Sequence, residues 1–205
     1  MPDFKEGDFN AGRVKIHYYR TGGNKPKIVL LHGATDNGLC WTPVARALAR
    51  RYDVIMPDAQ GHGRSDRLGP DFTSADLADQ VIALVERLGI TGPVITGHSM
   101  GAGTAVDVAV KRPHLPKAII LEDPAWRSPE AIKVENSEAG KKQWEAMVQM
   151  LTGYNRRSRE ELIAECRKMN PRWPEAEILP WAEAKTQFDP SLFSRLIISQ
   201  RLYTE

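Results

Sequence analysis

Gly97-His98-Ser99-Met100-Gly101 is the stretch of this chain whose residue types and spacing best suit covalent chemistry. It follows the apolar run Val94-Ile95-Thr96 and opens a run of small residues, Gly101 to Lys111, closed by Pro113. A G-x-S-x-G between a strand and a helix reads as a nucleophile elbow. The turn is so tight that side chains at Gly97 and Gly101 would strike neighbouring backbone. Ser99 is thereby forced into a strained conformation, its hydroxyl exposed above the sheet where it could attack a carbonyl carbon. The helix N-terminus beneath it offers unpaired N–H groups and a partial positive charge, which suit a developing oxyanion. The plain alternative is a glycine-rich strand-to-helix turn with an ordinary serine.

His32-Gly33 ends another apolar run, Ile28 to Leu31. With Ala34 it could bring a second backbone N–H beside Ser99, so that the N–H groups of Ala34 and Met100 form an oxyanion hole. The His32 side chain could instead simply brace that loop. The glycines do not make a phosphate loop: no G-x-x-x-x-G-K-[ST] is present, and no G-x-G-x-x-G follows a strand. No cofactor is indicated. Cys40 and Cys166 are far apart and in no motif, so neither a disulfide framework nor a zinc site is expected.

The elements that must hold these residues alternate in type over the first 122 residues. Val14 to Tyr19 alternates apolar and polar, as a strand with one wet face would. Ile28 to Leu31 and Val54 to Met56 are continuous apolar runs, as in strands covered on both faces. Trp41 to Arg50 reads as a helix, with Trp41, Val44 and Leu48 on one side. A second helix opens on Thr73-x-x-Asp76, which resembles a capping box. It carries Leu77, Val81, Leu84, Val85 and Leu88 on one face and ends at Gly89. Val94 to Thr96 and Ala118 to Leu121 are further strands. This repetition implies an α/β fold, a mostly parallel sheet with helices on both faces. After Pro124 no convincing strand follows. Trp144, Met147, Val148 and Leu151 fit one helix face, and Leu162, Ile163, Cys166 and Met169 another. Pro171, Pro174 and Pro180 punctuate the rest, and Phe193, Leu196 and Ile197 begin a last helix. The expected division is a core over 1–124, a helical lid over 125–189, and the start of a returning core helix over 190–205.

These motifs resemble the α/β-hydrolase superfamily, in its cap-bearing branch of esterase-like and C–C-bond-hydrolase-like members. The residues that carry the resemblance are Leu31-His32-Gly33, Pro57-Asp58-x-x-Gly61-His62-Gly63-Arg64-Ser65, Gly97-His98-Ser99-Met100-Gly101 and Leu121-Glu122-Asp123-Pro124. A serine at position 99 differs from the aspartate found in the elbows of haloalkane dehalogenases and epoxide hydrolases. The resemblance implies that nucleophile, acid and histidine follow in that order along the chain. Asp123 is then a candidate acid, with a structural part at the strand end as its alternative. Asp36 and Asp58 lie near the same edge without a mark of the triad.

The base is the gap. Of five histidines, His17, His32, His62, His98 and His114, only His114 follows Ser99. It is expected at the opposite edge of the sheet. His98 should point away from its neighbour Ser99, and His62 is separated from it by an intervening strand. The 83 residues after residue 122 are taken up by the lid-like segment and one helix. The two final strands of the family, and the loop bearing its histidine, are therefore expected to be missing, as in a C-terminally incomplete hydrolase.

The reading that follows is a serine hydrolase acting on a small ester or related carbonyl compound through an acyl-enzyme at Ser99, impaired for want of its base. The alternative is a non-catalytic α/β-hydrolase-like module that binds a small ligand or partner. The remaining features exclude other classes. With 205 residues, 41% of them hydrophobic, the chain has ample material for a core. A net charge of +2, evenly spread, does not suggest nucleic acid. No apolar run is long enough to span a membrane, and the polar N-terminus does not read as a secretory signal, so a cytoplasmic protein is expected. A sheet ending at Ala118 to Leu121 would leave an open edge through which the chain could self-associate.

Overall fold

Ile28, Val29, Leu30, Leu31, Val54, Ile55, Met56 and Ile95 are all at most 5% exposed, as strands sandwiched between helices require. In the computed structural model, which describes residues 4–124, 126 and 128–195, they lie at the centre of one six-stranded sheet. Its strands are β1 (Lys5–Ala11), β2 (Val14–Arg20), β3 (Lys27–Leu31), β4 (Asp53–Pro57), β5 (Val94–His98) and β6 (Ala118–Glu122). They run in the order β1-β2-β4-β3-β5-β6. The β1-β2 and β2-β4 pairs are antiparallel, and the remainder is parallel.

Alternate residues of β3 feed opposite layers. Val29 and Leu31 join Ile55 and Ile95 under α2 (Ser74–Arg87) and α3 (Met100–Lys111). Ile28 and Leu30 join Val54 and Met56 under a 3-10 turn (Gly38–Trp41) and α1 (Thr42–Leu48). The capping box of α2 is formed by Thr73 and Asp76. Its C-terminus closes in a Schellman motif around Gly89 at φ +60°: Gly89 N–H donates to Glu86 O and Ile90 N–H to Val85 O. In α1 it is Ala45 that is buried, whereas Val44, expected on the packed side, is 41% exposed.

β1 has no counterpart in the sequence pattern. Lys5-Glu6-Gly7-Asp8-Phe9-Asn10-Ala11 contains one buried apolar side chain, Phe9, which lies opposite Ile16. The strand forms because β2 offers it a partner. Its presence changes the face of β2 expected to be wet. His17 is 2% exposed, with Nδ1 2.7 Å from Asp8 Oδ1 across the hairpin.

Beyond Pro124, all regular structure among the described residues after β6 is helical: α4 (Pro129–Glu135), α5 (Glu138–Gly153), a 3-10 turn (Tyr154–Arg156), α6 (Arg159–Met169), α7 (Glu175–Gln187) and α8 (Leu192–Arg195). These helices share an apolar cluster that includes Tyr154, Leu162, Ile163, Cys166, Ile178 and Phe188. Trp144, Val148 and Leu151 of α5 pack onto it, while Met147 and Met169, expected on the same faces, remain exposed. Pro180 does not end a helix: α7 runs through it, losing only the bond that its missing N–H would have made. Phe193 is buried in α8; Leu196 and Ile197, with the rest of 196–205, lie outside the described residues. Among the described residues no helix is long and apolar enough to cross a membrane.

Candidate active site

The elbow between β5 and α3 is fixed by a lack of space. A Cβ on Gly97 would lie 2.1 Å from Gly101 O, and one on Gly101 would lie 2.3 Å from Leu31 O. Ser99 between them has φ 50° and ψ −112°, a conformation that non-glycine residues rarely hold. Its N–H donates to Glu122 O at 2.9 Å, which ties the elbow to the end of β6. Its C=O accepts the first bond of α3, from Gly103 N–H at 3.1 Å. Met100 opens that helix, so its N–H has no intrahelical acceptor.

The second proposed donor, Ala34 N–H, belongs to the same planar peptide as Gly33 C=O. His32 Nδ1 donates to Gly33 O at 2.8 Å, and Asp36 N–H donates to it at 3.1 Å. A peptide whose oxygen is held on one side must aim its N–H at the other. His32 Nε2 accepts from Ala59 N–H at 3.0 Å, which fixes the neutral tautomer with its proton on Nδ1. Burial, with a smaller contribution from His62, pushes its pKa down to about 3. His32 thus braces the loop and carries no proton to spare. Ala34 and Met100 pack against the same apolar cluster of Phe72, Leu77 and Leu192, which brings the two loops side by side.

The other histidines have different settings. His62 Nε2 lies 2.8 Å from Ala34 O and Nδ1 3.1 Å from Gln60 O, and burial lowers its pKa. β3 lies between its strand and β5. The His98 ring lies over Gly33, where a Cβ would be 3.0 Å from Nδ1. Gly33 is therefore the residue that leaves room for His98. His17 lies at the β1-β2 hairpin, and His114 is exposed in the turn that precedes β6. Among the described residues, no side chain hydrogen-bonds the Ser99 hydroxyl.

Asp123 stands exposed at the end of β6 with φ 46°. It and Ser99 are the two non-glycine residues with positive φ among those described, and they follow directly on the paired residues Glu122 and His98 of adjacent strands. Backbone strain of this kind collects at functional sites. Asp58 is buried and accepts from Gly38 and Arg64 N–H groups, a structural brace for its loop. Asp36, itself half-buried, forms an ion pair with the buried Lys185 of α7 at 2.6 Å, and Lys185 also donates to Thr35 O. Burial raises the Asp36 carboxyl, but the charge and hydrogen bond of Lys185 more than offset this and hold it below its usual range. Nothing local in the sequence announces this pair, because 149 residues separate its partners. Among the described residues, no group of three or more His, Cys, Asp or Glu could hold a metal ion.

Residues 26–163 match the family described as alpha/beta hydrolase fold. The chain is 31% identical over 114 residues to 2-(acetamidomethylene)succinate hydrolase of Mesorhizobium japonicum, covering 56% of this chain and 41% of that protein. It is 40% identical over 103 residues to an uncharacterized protein of Mycobacterium tuberculosis, covering 50% of this chain and 30% of that one. It thus spans less than half the length of these relatives. The solved structure of an E-2-(acetamidomethylene)succinate hydrolase superposes with a TM-score of 0.70 at 21% identity, covering 94% of this chain and 71% of that one. A thioesterase domain from the curacin biosynthetic pathway gives 0.69 at 22% identity, covering 97% and 75%. At these identities the two structures speak to the fold.

Proposed function

The chain belongs to the alpha/beta hydrolase fold family, and from that premise we propose that it is a serine hydrolase that cleaves a small ester or related carbonyl compound through an acyl-enzyme on Ser99. The observation that carries this reading is the strained Ser99, held at φ 50° by two glycines that admit no side chain. Such strain is kept where exposing a nucleophile at a helix N-terminus repays it. Ser99 Oγ attacks the carbonyl carbon, and the carbonyl oxygen becomes an oxyanion between the N–H groups of Ala34 and Met100. Collapse expels the leaving group, and water then releases the acid. Relatives named as hydrolases support hydrolytic chemistry. The helical segment 125–189 serves as a lid over this edge, and Asp123 is the candidate acid.

Proton removal is the weak step. His32 and His62 are committed to backbone partners, and burial makes both poor bases. The 205-residue chain is therefore expected to turn over p-nitrophenyl acetate slowly. Oxyanion stabilisation and binding alone leave roughly 10³–10⁴-fold over water. The test compares the chain with Ser99→Ala, both for p-nitrophenyl acetate turnover and for labelling by a fluorophosphonate. Slow hydrolysis and labelling that both vanish in Ser99→Ala support the reading. A folded chain that is silent to the probe favours the alternative, a non-catalytic small-ligand-binding module, which the lack of a histidine on Ser99 among the described residues also suits.

A further inference from the structure

A cavity of about 30 Å³ lies between the sheet and the helices α2 and α3, beside the first residues of α3. Its lining runs from Ile16 to Thr104, so its walls belong to β2, β3, β4, the loop after β4 and the two helices. Most of the wall is apolar: Ile16, Leu31, Leu77, Val81, Leu84 and Met100. The polar side chains on it are nearly all committed. His32 bonds Gly33 O and Ala59 N–H, Asp58 accepts from the Gly38 and Arg64 N–H groups, and the Thr104 hydroxyl donates to Met100 O at 3.0 Å. The exception is Gln80, 8% exposed, whose Oε1 is buried without a hydrogen-bond partner. Turning the amide round does not cure this. Gln60 Nε2 donates to Arg67 O at 3.0 Å, which leaves Gln60 Oε1 to accept from Gln80 Nε2 at 2.7 Å. Exchanging oxygen and nitrogen in either side chain, or in both, sets oxygen against oxygen.

We propose that this cavity binds a small primary alcohol, whose hydroxyl donates to Gln80 Oε1 and whose alkyl group packs against Leu77, Val81, Leu84 and Met100. The wall selects that class. Its unmet group is an acceptor, so the ligand must bring a donor. A buried water needs about two to four polar partners, and the lining side chains leave one unmet, so water suits the site poorly. An alkylammonium of the same size would bring three donors to that single acceptor. At roughly 10–15 Å³ for each water-sized group, the space takes two or three such groups, the size of methanol or ethanol. A ligand of three heavy atoms binds weakly at best, with a dissociation constant no tighter than about 1 mM. The site does not depend on Ser99 acting as a nucleophile.

Methyl NMR of the full chain titrated with ethanol tests this. The methyl signals of Leu77, Val81, Leu84 and Met100 should shift along one saturating curve with a midpoint in the millimolar range. Dimethyl ether has the same atoms without the O–H donor and should bind about fivefold more weakly or worse. Gln80→Leu removes the acceptor and should weaken ethanol by about the same factor, erasing its advantage over the ether. If that variant does not fold, the comparison of the two isomers on the unaltered chain decides alone. Shifts that stay linear up to molar ethanol overturn the proposal, as do equal affinities for ethanol and dimethyl ether. So does a cavity held by water alone, seen as magnetisation transfer from water to these methyls that ethanol does not displace.

Discussion

Ser99 and His32 both give up stability for position, and each loss can be measured. The Ser99 backbone carries strain of about 1–3 kcal/mol, and glycine would remove it at an entropic cost of about 0.5–1 kcal/mol. Ser99→Gly should therefore stabilise the chain by about 1 kcal/mol in urea denaturation while abolishing fluorophosphonate labelling. A destabilised Ser99→Gly would mean that the elbow is not strained. His32 acts through pH. Its folded pKa of about 3 lies below the unfolded value near 6.5, so between these limits the unfolded chain binds the extra proton. Stability is full above pH 6.5 and falls as the pH drops toward 3. The expected loss from this residue between pH 7 and pH 5 is about 2 kcal/mol, with His62 acting in the same direction. His32→Gln should flatten that slope, and an unchanged slope would sink the assignment. Residue by residue, the elbow was legible because its constraint is local: five adjacent positions determine whether Ser99 can be exposed. The brace of His32 on Gly33 was legible only as an option, since one sequence does not say which carbonyl an imidazole will meet.

Helix α2 and the elbow show how the same substitution separates conformation from space. At Gly89 a Cβ meets nothing within 4 Å, so Gly89→Ala costs only the left-handed backbone of the Schellman turn, about 1 kcal/mol. At Gly97 the same methyl would lie 2.1 Å from the Gly101 carbonyl, which belongs to backbone and cannot swing aside. Gly97→Ala should cost several times more and remove Ser99 labelling as the elbow shifts. Equal melting temperatures for the two variants would contradict this. Elements whose burial is periodic, such as α2 and the central strands, could be read from apolar spacing. β1 could not, because an edge strand with a single buried side chain gains its stability from the hydrogen bonds of β2. Pro180 misled for a related reason: its local preference against helix is overridden where Ile178, Ala182 and Ala184 are all buried by packing.

Across the whole molecule, the loop after β3 serves two masters. It presents Ala34 beside the elbow, and it anchors the helical segment through the Asp36–Lys185 ion pair, the bond from Lys185 to Thr35 O, and that from Asn37 Nδ2 to Gln187 Oε1 at 2.9 Å. Lys185 is only 3% exposed and lies 4.8 Å from the centre of the Trp181 ring, so its charge depends on Asp36 for compensation. Removing one member of such a pair leaves a buried charge, whereas removing both leaves an apolar contact. Asp36→Leu should therefore destabilise by about 3 kcal/mol, while Asp36→Leu with Lys185→Met should recover much of that loss. Because burial and ion pairing together leave the Asp36 carboxyl below its usual range, the pair should persist through mild acid, where His32 already destabilises the fold, and fail only as the pH falls below that range. Since the same loop carries Ala34, the single variant should also slow Ser99 labelling, and the double variant should restore it in part. Urea denaturation and labelling rate, followed through the double-mutant cycle, decide the matter. Additive stability changes would show that the pair does not couple the two parts. A coupled stability with an unchanged labelling rate would show that the helical segment is moored to the sheet without positioning the loop that carries Ala34.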